Sequence, residues 1–109
     1  MPAGTLVVDF TAHPLKVGAL KAWQDEASGN NFSNYRQLNL ANVPNWRWTN
    51  AADWEWTFGS NTTQHSLNRG FVTGKYGYAI YWTTPDAQWN TPANADARQV
   101  GFASFQPAP

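Results

Sequence analysis

An α+β domain, an antiparallel sheet of about five strands covered by two helices, is the fold that this order of residues predicts. Three observations carry that expectation. The centre of the chain alternates apolar and polar residues with period two. A helical spacing of apolar residues precedes it, and an Ala-rich segment led by Thr91-Pro92 follows it. The turns between the central strands are short, which pairs neighbours antiparallel. At 109 residues the chain has the size of one domain, 1–109, with a single fold to explain everything.

The elements follow in order. Thr5-Leu6-Val7-Val8-Asp9-Phe10-Thr11 is a run of strand formers closed by the turn-like His13-Pro14. Val17, Leu20, Trp23 and Ala27 then fall within one third of a helical wheel, with Lys16, Lys21, Gln24, Asp25 and Glu26 elsewhere, so an amphipathic helix comes next. Gly29-Asn30-Asn31 ends it, because Gly and Asn accept the left-handed conformation common after helix ends. Tyr35 to Leu40 alternates as a strand, and Asn42-Val43-Pro44-Asn45 punctuates before the aromatic segment Trp46-Arg47-Trp48.

Ala52 to Phe58 is the clearest strand. Trp54, Trp56 and Phe58 share one face and Asp53, Glu55 and Thr57 the other, which predicts one dry side and one wet side. Gly59-Ser60-Asn61 turns the chain into a strand over His65 to Thr73, and Gly74-Lys75-Tyr76-Gly77 turns it again into Tyr78 to Thr83. Together these strands form a meander. Pro85-Asp86 ends the sheet region, and Thr91-Pro92 offers an N-cap followed by proline at the first helical position. A second helix is expected over Ala93 to Phe105, although Val100, Phe102 and Phe105 share no clean stripe.

Composition narrows the function classes. Seven acidic and seven basic side chains cancel, which argues against duplex nucleic acid or an anionic membrane surface as the main partner. The absence of cysteine removes disulfides, thiolate nucleophiles and cysteine metal sites. Tyr76 to Pro85, the longest uncharged apolar stretch, has ten residues, far short of the roughly 20 that span a bilayer. Seventeen aromatic residues outnumber the 13 Leu, Val and Ile together, so rings must fill much of the interior. Eleven Asn and seven Pro suit many tight turns.

The segments Ala51-Ala52-Asp53-Trp54-Glu55-Trp56-Thr57-Phe58, Leu67-Asn68-Arg69-Gly70-Phe71-Val72, Tyr78-Ala79-Ile80-Tyr81-Trp82-Thr83-Thr84-Pro85 and Phe102-Ala103-Ser104-Phe105-Gln106-Pro107 carry a family resemblance. The chain resembles the non-catalytic carboxy-terminal domain of actinobacterial transmembrane serine/threonine protein kinases and related surface proteins. That domain is similar in plan to the PsbP/Mog1-like α/β sandwich. The resemblance spans residues 5 to 107 and is specific in ADWEW, LNRGFV and YAIYWTTP. It implies an extracytoplasmic binding or sensor module at the cell surface, tethered to a membrane outside this chain, with a small-molecule, glycan or protein ligand. It brings no catalytic residue and no cofactor. The chain differs from the usual pattern in its Asn content, in the Trp-Arg-Trp segment at 46–48 and in starting without longer upstream strands. A sheet edge left without a partner would favour a homodimer.

Asp53 and Glu55 stand about 7 Å apart on one strand face, a spacing that acid-base pairs use, and equally one that a solvated face paired with Arg69 shows. His65 and Ser66 are neighbours on a strand, point to opposite faces and cannot form a nucleophile-base dyad. No second His stands at metal-ligand spacing, and no phosphate-cradling glycine motif is present. The expectation is therefore not an enzyme. Trp46, Trp48 and Trp89 lie in turn-like segments and are expected to be more exposed than Trp54, Trp56 and Trp82, which read as core. As exposed indoles they would form a platform for a carbohydrate; otherwise they close the edge of an aromatic core. Asn68 and Arg69 are the polar members of LNRGFV and would orient a ligand, or Arg69 would pair with Glu55.

Overall fold

Strand-forming runs separated by turn residues give a five-stranded antiparallel sheet in the order β1-β5-β4-β3-β2. The computed structural model describes residues 5–10, 17–44, 46–74 and 76–104. Its elements are β1 (Thr5–Phe10), α1 (Ala19–Ser28), β2 (Arg36–Asn42), β3 (Ala51–Phe58), β4 (Gln64–Thr73), β5 (Tyr76–Pro85) and α2 (Pro92–Ser104), with a single 3-10 turn at Asp86–Gln88. The expected α+β architecture is what forms. His13-Pro14 and Phe105 lie outside the described residues.

Strands β2 to β5 are a meander, and β1 returns to pair with β5, leaving β1 and β2 as the edges. The β3–β4 turn depends on Gly59, whose φ of 121° and whose 2.2 Å separation between a would-be Cβ and the Thr62 carbonyl oxygen both exclude a side chain. In β2 the register shifts between Gln37 and Asn39, and this bulge turns Leu38 into solvent, so the alternation read from Tyr35 to Leu40 does not become an alternation of burial.

The register sorts side chains onto two faces. Ala52, Gly70 and Ala79 lie side by side on adjacent strands, as do Trp54, Asn68 and Tyr81, and Trp56, Ser66 and Thr83. This is the face that α1 covers. Three small residues in one row leave a seat, and Trp23 of α1 fills it: a Cβ on Gly70 would lie 2.8 Å from the Trp23 indole. The indole Nε1 donates to the Ala52 carbonyl oxygen at 3.0 Å. Ala19, Trp23, Ala52, Trp54, Trp56 and Ala79 form the buried cluster on this side.

Helix α1 starts without a side-chain cap of its own. Its first amide, Ala19 N, donates to Asn50 Oδ1 at 3.0 Å, while Val72 N donates to the Asn50 carbonyl, so one loop residue ties the helix start to β4. Val17 precedes the helix and is exposed rather than part of its buried stripe. At the other end Gly29 has φ of −102°, so the helix stops without the expected left-handed residue. Asn30 closes it by donating Nδ2 to the Ala27 carbonyl.

The opposite face carries Ile80, Trp82, Trp89 and Phe102 as a second buried cluster under α2. The dry-and-wet expectation for β3 fails here. Asp53 and Glu55 are partly covered, because α2 and the 46–48 loop lie over the side that alternation alone assigned to water. Pro92 opens α2 as expected, and the Thr91 carbonyl accepts from Ala95 N, but the Thr91 hydroxyl donates back to Gln88 O and accepts from Asn94 Nδ2.

Gly70→Ala is expected to push the Trp23 indole out of its seat and cost about 1–3 kcal/mol, the usual range for overpacking. Urea unfolding checks it, and unchanged stability would show that the seat is not tight.

Candidate functional site

Helix α1 is short and sits over the Ala52–Gly70–Ala79 row, with Trp23 reaching Trp54 and Tyr81 in the next one, so the same face is only partly covered beyond it. There a groove of about 490 Å³ forms, within the ~300–1,000 Å³ range of small-molecule sites. Trp54 and Trp56 stack at 3.9 Å to make its floor. Phe32, carried over the sheet by the loop after α1, contacts Phe58 at 4.7 Å and Trp56 at 5.4 Å and forms one wall. That loop is held by Gly59 N donating to Ser33 O and by Asn34 Nδ2 donating to Gly59 O. Tyr81 and Thr83 of β5 face Phe58 across the groove.

The centre of the groove is polar, and β4 supplies it. Asn68 is 7% exposed, lines the groove, and its side-chain amide takes part in no hydrogen bond among the described residues. The indole Nε1 of Trp56 is buried and also lacks a partner. Ser66 Oγ and Thr83 Oγ1 share one hydrogen bond of 2.5 Å. By contrast Trp54 Nε1 is satisfied, donating to the Tyr35 hydroxyl, which donates on to Gln37 Oε1. A fully buried polar group without a partner costs about 1–3 kcal/mol, which applies to Trp56 Nε1, whereas the Asn68 amide opens into the groove, where solvent or a ligand reaches it.

The other face holds the charges, and almost all of them are paired. Asp53 and Arg69 are direct cross-strand neighbours, and Arg69 donates Nε and Nη2 to the two Asp53 oxygens at 2.8 and 2.9 Å. The expected Arg69–Glu55 pair does not form, because register puts Leu67 opposite Glu55. Glu55 instead meets His65 Nε2 at 2.6 Å, and Asp86 meets His65 Nδ1 at 2.9 Å. A neutral imidazole has one N–H, so both contacts are donated hydrogen bonds only when both ring nitrogens carry protons. Trp89 lies flat on the His65 ring, 3.5 Å between centroids at 2°, and Arg98 lies over Trp89 at 4.1 Å and donates Nη1 to its carbonyl oxygen. Burial holds the Arg98 guanidinium below its ordinary range, and the nearby Glu55 carboxylate partly offsets this.

No protein-family model matches this chain, and no curated protein matches it. Function has to be read from the two faces themselves.

The residues expected to bind are split between those faces. Asn68 lines the α1-face groove, whereas Arg69, its chain neighbour, points the other way beneath α2. Trp89 is not exposed as expected; at 7% exposure it is packed between His65 and Arg98. Trp46 and Trp48 are half-buried on the chain's own rings: Trp48 stacks on Phe71 at 4.0 Å, and Trp46 meets Phe71 edge-on at 5.4 Å. Arg47 lies over Trp48 and donates Nη1 to Ala103 O, tying this loop to the end of α2. Trp54, Trp56 and Trp82 are core, and His65 and Ser66 point to opposite faces, both as expected. Among the described residues no group of three or more His, Asp and Glu is arranged to hold a metal ion.

Two constellations escaped the sequence reading. The Phe32 wall comes from a loop without periodicity. The Glu55–His65–Asp86 clamp joins three elements, although the diagonal offset of Glu55 and His65 follows from the β3–β4 pairing once the turn length is known.

Arg69→Met should cost about 1–3 kcal/mol by leaving Asp53 partly buried without a counter-charge, and Asp53→Asn in the same chain should recover part of it. A urea double-mutant cycle reads this, and strict additivity would contradict the pairing. His65→Phe keeps the ring on Trp89 but removes both carboxylate contacts, so it should cost less than His65→Ala, which removes both, by about 1 kcal/mol. Equal losses in thermal unfolding would show that the stacking contributes nothing.

Proposed function

We propose that this chain is a non-catalytic binding module whose ligand occupies the groove on the α1 face. The observation that carries the reading is the pair of Asn68 and Trp56 in an aromatic-walled groove: a nine-tenths buried asparagine whose side chain has no partner among the described residues, near a buried indole N–H that has none either. Binding sites retain such groups because the ligand supplies the missing hydrogen bonds. The paired charges of the other face serve as structure, since the carboxylates of Asp53, Glu55 and Asp86 are each engaged by a side chain of the fold itself.

The groove draws on the segments that carry the family resemblance. Trp54 and Trp56 belong to ADWEW, Asn68 to LNRGFV, and Tyr81 and Thr83 to YAIYWTTP. The resemblance to the carboxy-terminal domain of transmembrane serine/threonine kinases supports an extracytoplasmic setting, in which the module senses or captures something at the cell surface. A platform built from Trp46, Trp48 and Trp89 has less support, because all three indoles are engaged by the protein's own side chains.

Asn68→Leu separates binding from folding. Replacing an amide that has no protein partner by a hydrocarbon of similar size should leave stability unchanged or raise it in urea unfolding. The same substitution should abolish the thermal shift that the parent chain shows in a screen of neutral saccharides, nucleosides and amino-acid amides. A loss of stability would mean that the amide is a structural group, and the binding reading would then fail.

A further inference from the structure

The groove's chemistry says what class of ligand it takes, an inference that rests on the binding reading above. We infer that it holds the ring of a neutral saccharide. Charge excludes the common alternatives first. Among the described residues its lining contains one carboxylate, Glu26 at an exposed position of α1, and no Lys, Arg or His, so none of them complements a phosphate, sulfate or carboxylate. Purely apolar ligands are disfavoured as well, since they would seal Asn68 in without a partner.

What remains is a ligand with an apolar face and a polar perimeter. A pyranose has both: axial C–H groups that pack on rings, and hydroxyls around its edge. The packing surfaces available are the exposed Phe32 and the half-buried Phe58 and Tyr81, because Trp54 and Trp56 are only 3% exposed and act as the floor beneath them. For the hydroxyls, the Asn68 amide offers donor and acceptor side by side, which matches two neighbouring hydroxyls. Ser66 and Thr83 spend one hydroxyl proton on each other, so the pair keeps one donor and several lone pairs. These polar groups stand in the middle and the rings at the flanks.

Titration of the intact chain with cellotriose and chitotriose, and separately with adenosine and uridine, decides the matter through the indole N–H resonances and calorimetry. A saccharide is expected to bind saturably at millimolar concentration or below. Asn68→Leu should weaken it by about tenfold or more, Phe58→Leu should weaken it while keeping the bulk of the floor, and Trp46→Leu, on the opposite face, should leave it unchanged. Binding of a nucleoside alone, lost in Asn68→Leu, would overturn the ligand class and leave the groove reading standing. Saccharide binding that survives Asn68→Leu and vanishes in Trp46→Leu would overturn both, and so would the absence of any binding that depends on Asn68.

Discussion

The seat of Trp23 on Gly70 is the contact from which the rest of this structure follows. Three residues in register across the sheet, Ala52, Gly70 and Ala79, are small enough for an indole to approach the backbone and donate to a strand carbonyl. That approach fixes where α1 lies. The helix has only ten residues and is held at its start by Asn50; Trp23 reaches Trp54 and Tyr81 in the next row, and beyond them the face opens as a groove. The open groove is therefore a consequence of how the helix docks. Phe32 arrives from the following loop to wall it rather than fill it.

The two faces solve the problem of buried polarity in opposite ways. Under α2, polar side chains are paired locally: Arg69 with Asp53, and His65 between Glu55 and Asp86, with flat stacking of Trp89 and Arg98 above it. Pairing of this kind joins β3, β4, the turn after β5 and α2 into one unit, and the 46–48 loop closes its edge through Trp48 on Phe71 and Arg47 on Ala103. Groups without a partner among the described residues remain there as well, Trp82 Nε1 and Asn94 Oδ1, but neither lines the groove under α1. On the α1 face Asn68 and Trp56 Nε1 line a cavity and have no protein partner among the described residues, and the cavity beside them is what separates a binding group from a structural one.

Much of the architecture was legible because local rules dominate it. Alternation in Ala52 to Phe58 placed Trp54 and Trp56 in the interior, Thr91-Pro92 marked the start of α2, and glycine-led turns joined the meander. Alternation also implied that Asp53 and Glu55 meet water, and this was wrong, since a face that looks polar along one strand can still be covered by a distant helix. Turn-like surroundings likewise suggested an exposed Trp89, yet the residue folds back onto His65, a partner 24 positions earlier in the chain. The candidate site was half visible. Asn68 could be singled out as a polar residue in an apolar run, but the same step grouped it with Arg69, which the pleat sends to the other side.

The sequence by itself determined the class of the fold, the strands and helices and the dominance of rings in the core, because these depend on period, turn chemistry and composition within short windows. Only the tertiary structure decided which polar groups find partners. Register selected Asp53 for Arg69 and a diagonal Glu55 for His65, and the docking of one small helix left the Asn68 side chain facing a groove with no partner among the described residues. Partnership depends on side chains brought together from separate elements, and no window of the chain contains that information.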